Sequence, residues 1–376
     1  MNKNKSFLTV SAIALCGVAM FSSCSDDDNS VDPIGISIPD AQSLTVDKSK
    51  VLQIVPKITN APDATYSWAI GDSIISTNDT LDFIELTPGV YDLTFTAKTA
   101  DQTQTQACKI TVNDAEYSAL QTKLVEYKPA LFNSENVITT PYNEFMNEAN
   151  ADIKAGKSVN LDLGCWGGYV VYAFDHTVKN ISGAADILVN HNGSAGSYSY
   201  GIFYVAYDKN KNGKPDDDEW YEIKGSYYGT DKETTDYEIT YQLPTTDVEK
   251  YVQESIWSDN KGNTGKVSFF WYENPDWAWP GYRSTGMLAG WTAPLKFKGS
   301  LLEWMGDVDD TYKGYLNHET DINVNIDDAV DSKGQPANLI GVDFIKVQTA
   351  TSKEINEVAG YYTCDMTSVK DIHIAK

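Results

Sequence analysis

One arginine, Arg283, serves the whole 376-residue chain, and four histidines are scattered along it. A single guanidinium leaves no planar cationic clamp for phosphates. The formal charge of −24 adds repulsion toward nucleic acid and favours hard cations instead. No histidine cluster has zinc spacing, and no G-x-S-x-G elbow is present. Adjacent acids such as Asp309 and Asp310 would point to opposite faces of a strand, which makes them poor glycosidase partners. The chain therefore reads as a binding protein and not an enzyme.

Long apolar runs are also missing. The stretch from Phe7 to Phe21 is too short for a comfortable membrane span, but with Lys3 and Lys5 before it and small residues after it, it has the layout of a secretory signal. "FSSC" resembles a bacterial lipoprotein signal in which Cys24 becomes the lipid anchor and mature N-terminus. Cys16 fits less well because bulky Leu15 precedes it. Residues 1–23 would be the signal and 24–34 an acidic tether. The "SDDD" after Cys24 resembles the Bacteroidetes signal for export to the outer face of the outer membrane. Losing Lys3 and Lys5 takes the charge to −26, since residues 1–23 carry no acid. Cys108, Cys165 and Cys364 then remain. An odd count leaves one thiol free in an oxidising compartment, and Cys165 with Cys364 is the pair to test.

Residues 35–113 alternate apolar and polar side chains in short runs such as "ATYSWAI" and "VYDLTFTAK", with a turn at "TPGVY". A strand-borne Trp68 and the alternation of Tyr91, Leu93 and Phe95 resemble a PKD-like, immunoglobulin-type sandwich, with Trp68 in its core. Between 114 and 157 the apolar spacing turns helical, which predicts a connector of two short helices. From 158 to 376 many short strands return without long helices between them. This predicts an all-β chain whose larger second domain is a jelly-roll-like sandwich.

"LVEYKPALF", "LDLGCWGGYVVYAFDHTVKN", "YDKNKNGKPDDDEWYEIKGS", "WSDNKGNTGKV" and "GVDFIKVQTA" occur in order along the chain. Together they resemble a family of Bacteroidetes cell-surface lipoproteins with an N-terminal PKD-like domain, often found at corrinoid (vitamin B12) uptake loci. The resemblance implies a surface lipoprotein that captures a corrinoid such as cobalamin for an outer-membrane TonB-dependent transporter. It implies no binding residues. A glycan ligand, or an adhesion role without a small ligand, stays open.

Two stretches are candidates for sites. Residues 208–219, "DKNKNGKPDDDE", match a twelve-residue calcium loop, with Asp208, Asn210, Asn212, Asp216 and Glu219 as side-chain ligands, the Lys214 carbonyl between them and Gly213 at the turn. Flanking strands make this a structural Ca2+ clamp on a hairpin, against the simpler reading of a solvated acidic turn. "FFWYENPDWAWPGYRSTG" sets Trp277, Trp279 and Tyr282 in a Pro- and Gly-marked loop, where aromatic platforms suit a sugar or a corrin-sized ligand. His191, also expected in a loop, is a further candidate for ligand contact. His176, beside Asp175 on a strand, is expected to be structural.

Overall fold

The computed structural model describes residues 32–130, 142–191, 200–242, 252–270, 294–303, 314–315, 321–351, 354–356, 360–361 and 364–374. Cys24, Trp277, Trp279 and Tyr282 lie outside them. The chain is mostly β-structure, and among the described residues no helix is long and apolar enough to cross a membrane.

The N-terminal domain holds β1 (Gly35–Ser37), β2 (Leu44–Asp47), β3 (Leu52–Ile54), β4 (Lys57–Thr59), β5 (Thr65–Ile70), β6 (Ser73–Ser76), β7 (Leu81–Phe83), β8 (Gly89–Lys98) and β9 (Thr103–Asn113). Its main sheet runs β2-β9-β8-β5-β6, with the pairs β1-β4 and β3-β7 completing the domain. Period-2 alternation puts Leu93, Phe95 and Ala97 of β8 on the same inner face as Cys108, Ile110 and Val112 of β9. Trp68 is fully buried there, its ring 4.6 Å from that of Phe95.

The larger domain comprises β10 (Lys123–Lys128), α1 (Tyr142–Lys154), β11 (Leu161–Asp162), β12 (Tyr169–Lys179), β13 (Ile187–His191), β14 (Gly201–Ala206), β15 (Trp220–Ile223), β16 (Glu233–Tyr241), β17 (Val252–Asp259), β18 (Thr264–Phe270), β19 (Leu295–Leu302), β20 (Asp321–Val324), β21 (Ala329–Val330), β22 (Gly341–Thr349), β23 (Glu354–Asn356), β24 (Gly360–Tyr361) and β25 (Asp365–Asp371). Its central sheet runs β10-β12-β22-β14-β15-β21. The sheet β11-β25-β13-β20 packs on one face through Val170, Tyr172, Phe203, Ile345, Val347, Met366 and Val369. The sheet β18-β17-β16-β19 covers one end of the other face, around Trp166, Tyr237, Tyr241 and Phe297. Cover on both faces explains why "GIFYVA" of β14 is buried at every position and reads as a continuous apolar run.

Among the described residues, one of the two expected connector helices forms, α1. The segment before it is β10, which pairs with β12 across a bulge between Leu124 and Glu126. The bulge shifts the alternation, so Leu124 and Tyr127 both face the core although they are three residues apart. A spacing of three, read as helical, is here a strand with one extra residue.

The expected disulfide is absent: Cys165 and Cys364 are buried thiols in no disulfide, as is Cys108. Cys165 belongs to the core beside Trp166, and Cys364 to the core on the opposite face of the central sheet.

Candidate ligand-binding site

On β22, Phe344, Lys346 and Gln348 face away from the core that holds Ile345 and Val347. The register sets Val171 and Tyr204 on either side of Lys346, Glu126 opposite Val171, and Glu222 opposite Tyr204. One row thus crosses five strands as Glu126, Val171, Lys346, Tyr204 and Glu222. The adjoining rows are Tyr169, Gln348 and Ile202 on one side, and Ala173, Phe344, Ala206 and Trp220 on the other. Tyr169, Trp220, Lys346, Glu126 and Glu222 each keep partial solvent exposure.

Lys346 Nζ lies 4.1 Å from the ring centre of Tyr204, 5.2 Å from Trp220 and 5.5 Å from Tyr169. Ring faces attract a cation but accept no conventional hydrogen bond. Among the described residues the ammonium has no hydrogen bond or ion pair. Burial pushes its pKa down to about 8, opposed by the charges of Glu126, Glu222 and Asp217. Tyr169 OH donates to Glu126 Oε1 at 2.7 Å, fixing the carboxylate beside the rings.

β19 holds one end of this face. Tyr204 OH accepts from Ser300 N at 3.0 Å, Ser300 Oγ donates to Glu222 Oε2 at 2.8 Å, and Gln348 Nε2 donates to the carbonyls of Gly167 and Lys298. Such close approach demands Gly299, because a Cβ there would lie 2.3 Å from Gln348 Oε1. Chemically, the face offers the partly exposed rings of Tyr169 and Trp220, an ammonium with unspent donors and a fixed carboxylate acceptor, with the Tyr204 ring buried under the ammonium.

Residues 34–99 match the PKD-like domain family. No curated protein matches the chain by sequence. Among solved structures, the chain is similar to a SusE-like protein at 8% identity, covering 89% of this chain and 96% of that one, with a TM-score of 0.28. It is also similar to Bacteroides ovatus SGBP-B of a mixed-linkage glucan utilization locus, in complex with a mixed-linkage heptasaccharide (9% identity, 90% and 99% covered, TM-score 0.20). Fibronectin(III)-like modules of Clostridium thermocellum CbhA are a third (13%, 63% and 93%, TM-score 0.20). None of the three reaches a TM-score from which a shared activity follows.

The PKD-like domain is docked on the larger one. Ser49 O accepts from Thr177 N at 2.9 Å, Lys50 Nζ donates to Asp175 O at 2.7 Å, and Lys179 pairs with Glu85 at 2.9 Å. The 208–219 loop stands close by: Asp343 accepts from both Thr177 Oγ1 and Asp208 N.

Within that loop, which joins β14 to β15, side-chain oxygens turn toward the backbone. Asp208 accepts from the amides of Asn212 and Gly213, Asn210 from that of Asn212, and Asn212 from that of Lys214. Asp216 accepts from the side chains of Asn210 and Asn212. Glu219 is buried and accepts from the amides of Lys209 and Asp216. Gly213 adopts the left-handed φ of 75° that the turn requires. Among the described residues no three His, Cys, Asp or Glu side chains stand close enough together to hold a metal. The oxygens the pattern demands are gathered on one loop, and its own amides engage the side-chain ones.

His176 is structural, as expected: it is buried, with Nδ1 2.8 Å from Asp175 and Nε2 2.8 Å from Asp371. His191 ends β13 instead of lying in a loop. It is 5% exposed on the same side as core residues Ile187 and Val189, a position unsuited to ligand contact at the surface. Lys346 was missed because a lone lysine in "GVDFIKVQTA" reads as the outward residue of a strand. Its one signal is a charge set between apolar Ile345 and Val347.

Proposed function

We propose that the larger domain binds a neutral glycan on the face built from Tyr169, Tyr204, Trp220, Lys346 and Glu126. The observation that supports this is the Lys346 ammonium, held over three rings with its donors unspent and a fixed carboxylate on the same face. Aromatic faces stack on the C–H faces of sugar rings, the ammonium donates to hydroxyl oxygens, and Glu126 accepts from hydroxyls. The acids around Lys346 disfavour an anionic ligand. This face, and not the likenesses to solved structures, supports a glycan over a corrinoid. No bond of the ligand is broken in this role.

In the same proposal Cys24 anchors the chain by lipid at the outer face of the outer membrane, and an outer-membrane transporter receives the ligand. The 208–219 loop would hold Ca2+ through Asp208, Asn210, Asn212, the Lys214 carbonyl, Asp216 and Glu219, and the ion would offset the loop's acids.

Calorimetric titration of the chain lacking residues 1–24 tests the ligand class. Mixed-linkage glucan oligosaccharides and a panel of neutral glycans are expected to bind wild type and to fail with Trp220→Ala. Binding of cyanocobalamin, with no glycan bound, would overturn the glycan proposal in favour of the corrinoid.

A further inference from the structure

Glu222 of β15 and Glu233 of β16 both converge on β19, Glu222 through Ser300 and Glu233 through its register partner Leu302, and each acts on the other's titration. Glu233 is 8% exposed. Neutral donors serve both acids: Ser300 Oγ reaches Glu222 Oε2 at 2.8 Å, with Tyr204 also bonding Glu222, and Tyr315 OH reaches Glu233 Oε2 at 3.3 Å. The other oxygen of each, Oε1, is buried and meets no donor. Two ionised carboxylates so placed would leave both oxygens unsatisfied and would repel each other. One proton between them removes both defects.

We propose that Glu222 and Glu233 share a single proton, and that this carboxyl–carboxylate bond is a pH-sensitive clasp joining the central sheet to the β16-β19 sheet under the ligand face. Its effect is positional: the clasp secures Glu222, Glu222 secures Ser300, and Ser300 secures Tyr204, the ring nearest Lys346.

The groups facing the pair, among the described residues, are Lys346 on β22, Tyr204 on β14, Tyr315, and Tyr228 in the turn before β16. Only Lys346 carries positive charge. Burial first, and the Glu222 charge second, push Glu233 up to about 8. Glu233 is raised above its unfolded value of 4.5, so its contribution to stability is complete below that value and is lost as pH rises through about 8. Lys346 loses its proton over the same upper range. The trio of Glu222, Glu233 and Lys346 thus passes from neutral to doubly negative.

Infrared difference spectra of the chain lacking residues 1–24, between pH 6.5 and 9.5, test this without a ligand. A protonated-carboxyl C=O band is expected to vanish in wild type with a midpoint near pH 8. It should be absent in Glu233→Gln, whose amide can donate to Glu222 at every pH, and retained in Lys346→Met. Absence of the band in folded wild type at pH 6.5, or its persistence in Glu233→Gln, would overturn the proposal. Absence of the band from the wild-type spectrum overturns the proposal even if the variant fails to fold, and neither result depends on whether a glycan binds.

Discussion

Replacing Lys346 by Met should make the protein more stable and unable to bind. Met matches the volume of the lysine stem and packs against rings, while the charge is removed. A lysine whose pKa falls from 10.5 to about 8 on folding carries a penalty of up to about 3 kcal/mol at neutral pH. Its partial exposure lets solvent screen some of that penalty, and the ring contacts return ~0.5–2 kcal/mol. A net gain of about 1–2 kcal/mol remains for Lys346→Met at pH 7. The direction reverses the usual lysine case: with the folded pKa depressed, the lysine's contribution is fully recovered above 10.5 and lost as pH falls through about 8. Urea unfolding at pH 7 and pH 10, followed by tryptophan fluorescence, reads both effects. Wild type should gain on the variant between the two pH values. An equal or lower stability of Lys346→Met at pH 7, with an unchanged pH dependence, would refute the idea that this charge is held at a cost for binding.

Trp220→Ala should abolish measurable glycan binding while shifting stability by less than a buried-core truncation, because the ring is partly exposed; calorimetry and a thermal melt separate the two. Glu85→Lys should reverse the Lys179 pair and loosen the domain seam, seen as faster proteolysis between residues 113 and 123 with both domains still folded. If the 208–219 loop takes calcium, chelator should lower the melting temperature of wild type and leave Asp208→Ala unchanged; a melt indifferent to chelator would reduce the loop to an acidic turn. The three buried thiols should react with a thiol reagent only after denaturation, to a count of three in the chain lacking residues 1–24.

Local alternation carried much of the architecture. Trp68, Leu93 and Phe95 mark a sandwich core because a strand has only two faces, and one of them must be apolar. The chain's strand-rich second half was legible for the same reason. A bulge defeats that logic, and β10 was read as helix because Leu124 and Tyr127 sit three residues apart on either side of one. The binding face was illegible for a different reason: Glu126, Val171, Lys346, Tyr204 and Glu222 come from five strands spread over more than 200 residues, and only the register brings them into one row. Each is unremarkable alone. His191 misled in the opposite direction, since polar neighbours in sequence suggested exposure at a position that the fold turns inward.

β12 runs from Val171 in the ligand row to Thr177 and Lys179 on the PKD-like domain. Although its pairing with β22 shifts between Ala173 and Val178, the one strand is both a slat of the proposed ligand face and the peg on which the first domain hangs. The two halves are therefore not interchangeable cassettes. A chimera that swaps in a foreign first domain must also supply the counterparts of Ser49, Lys50 and Glu85, or the strand under the ligand loses its outer brace.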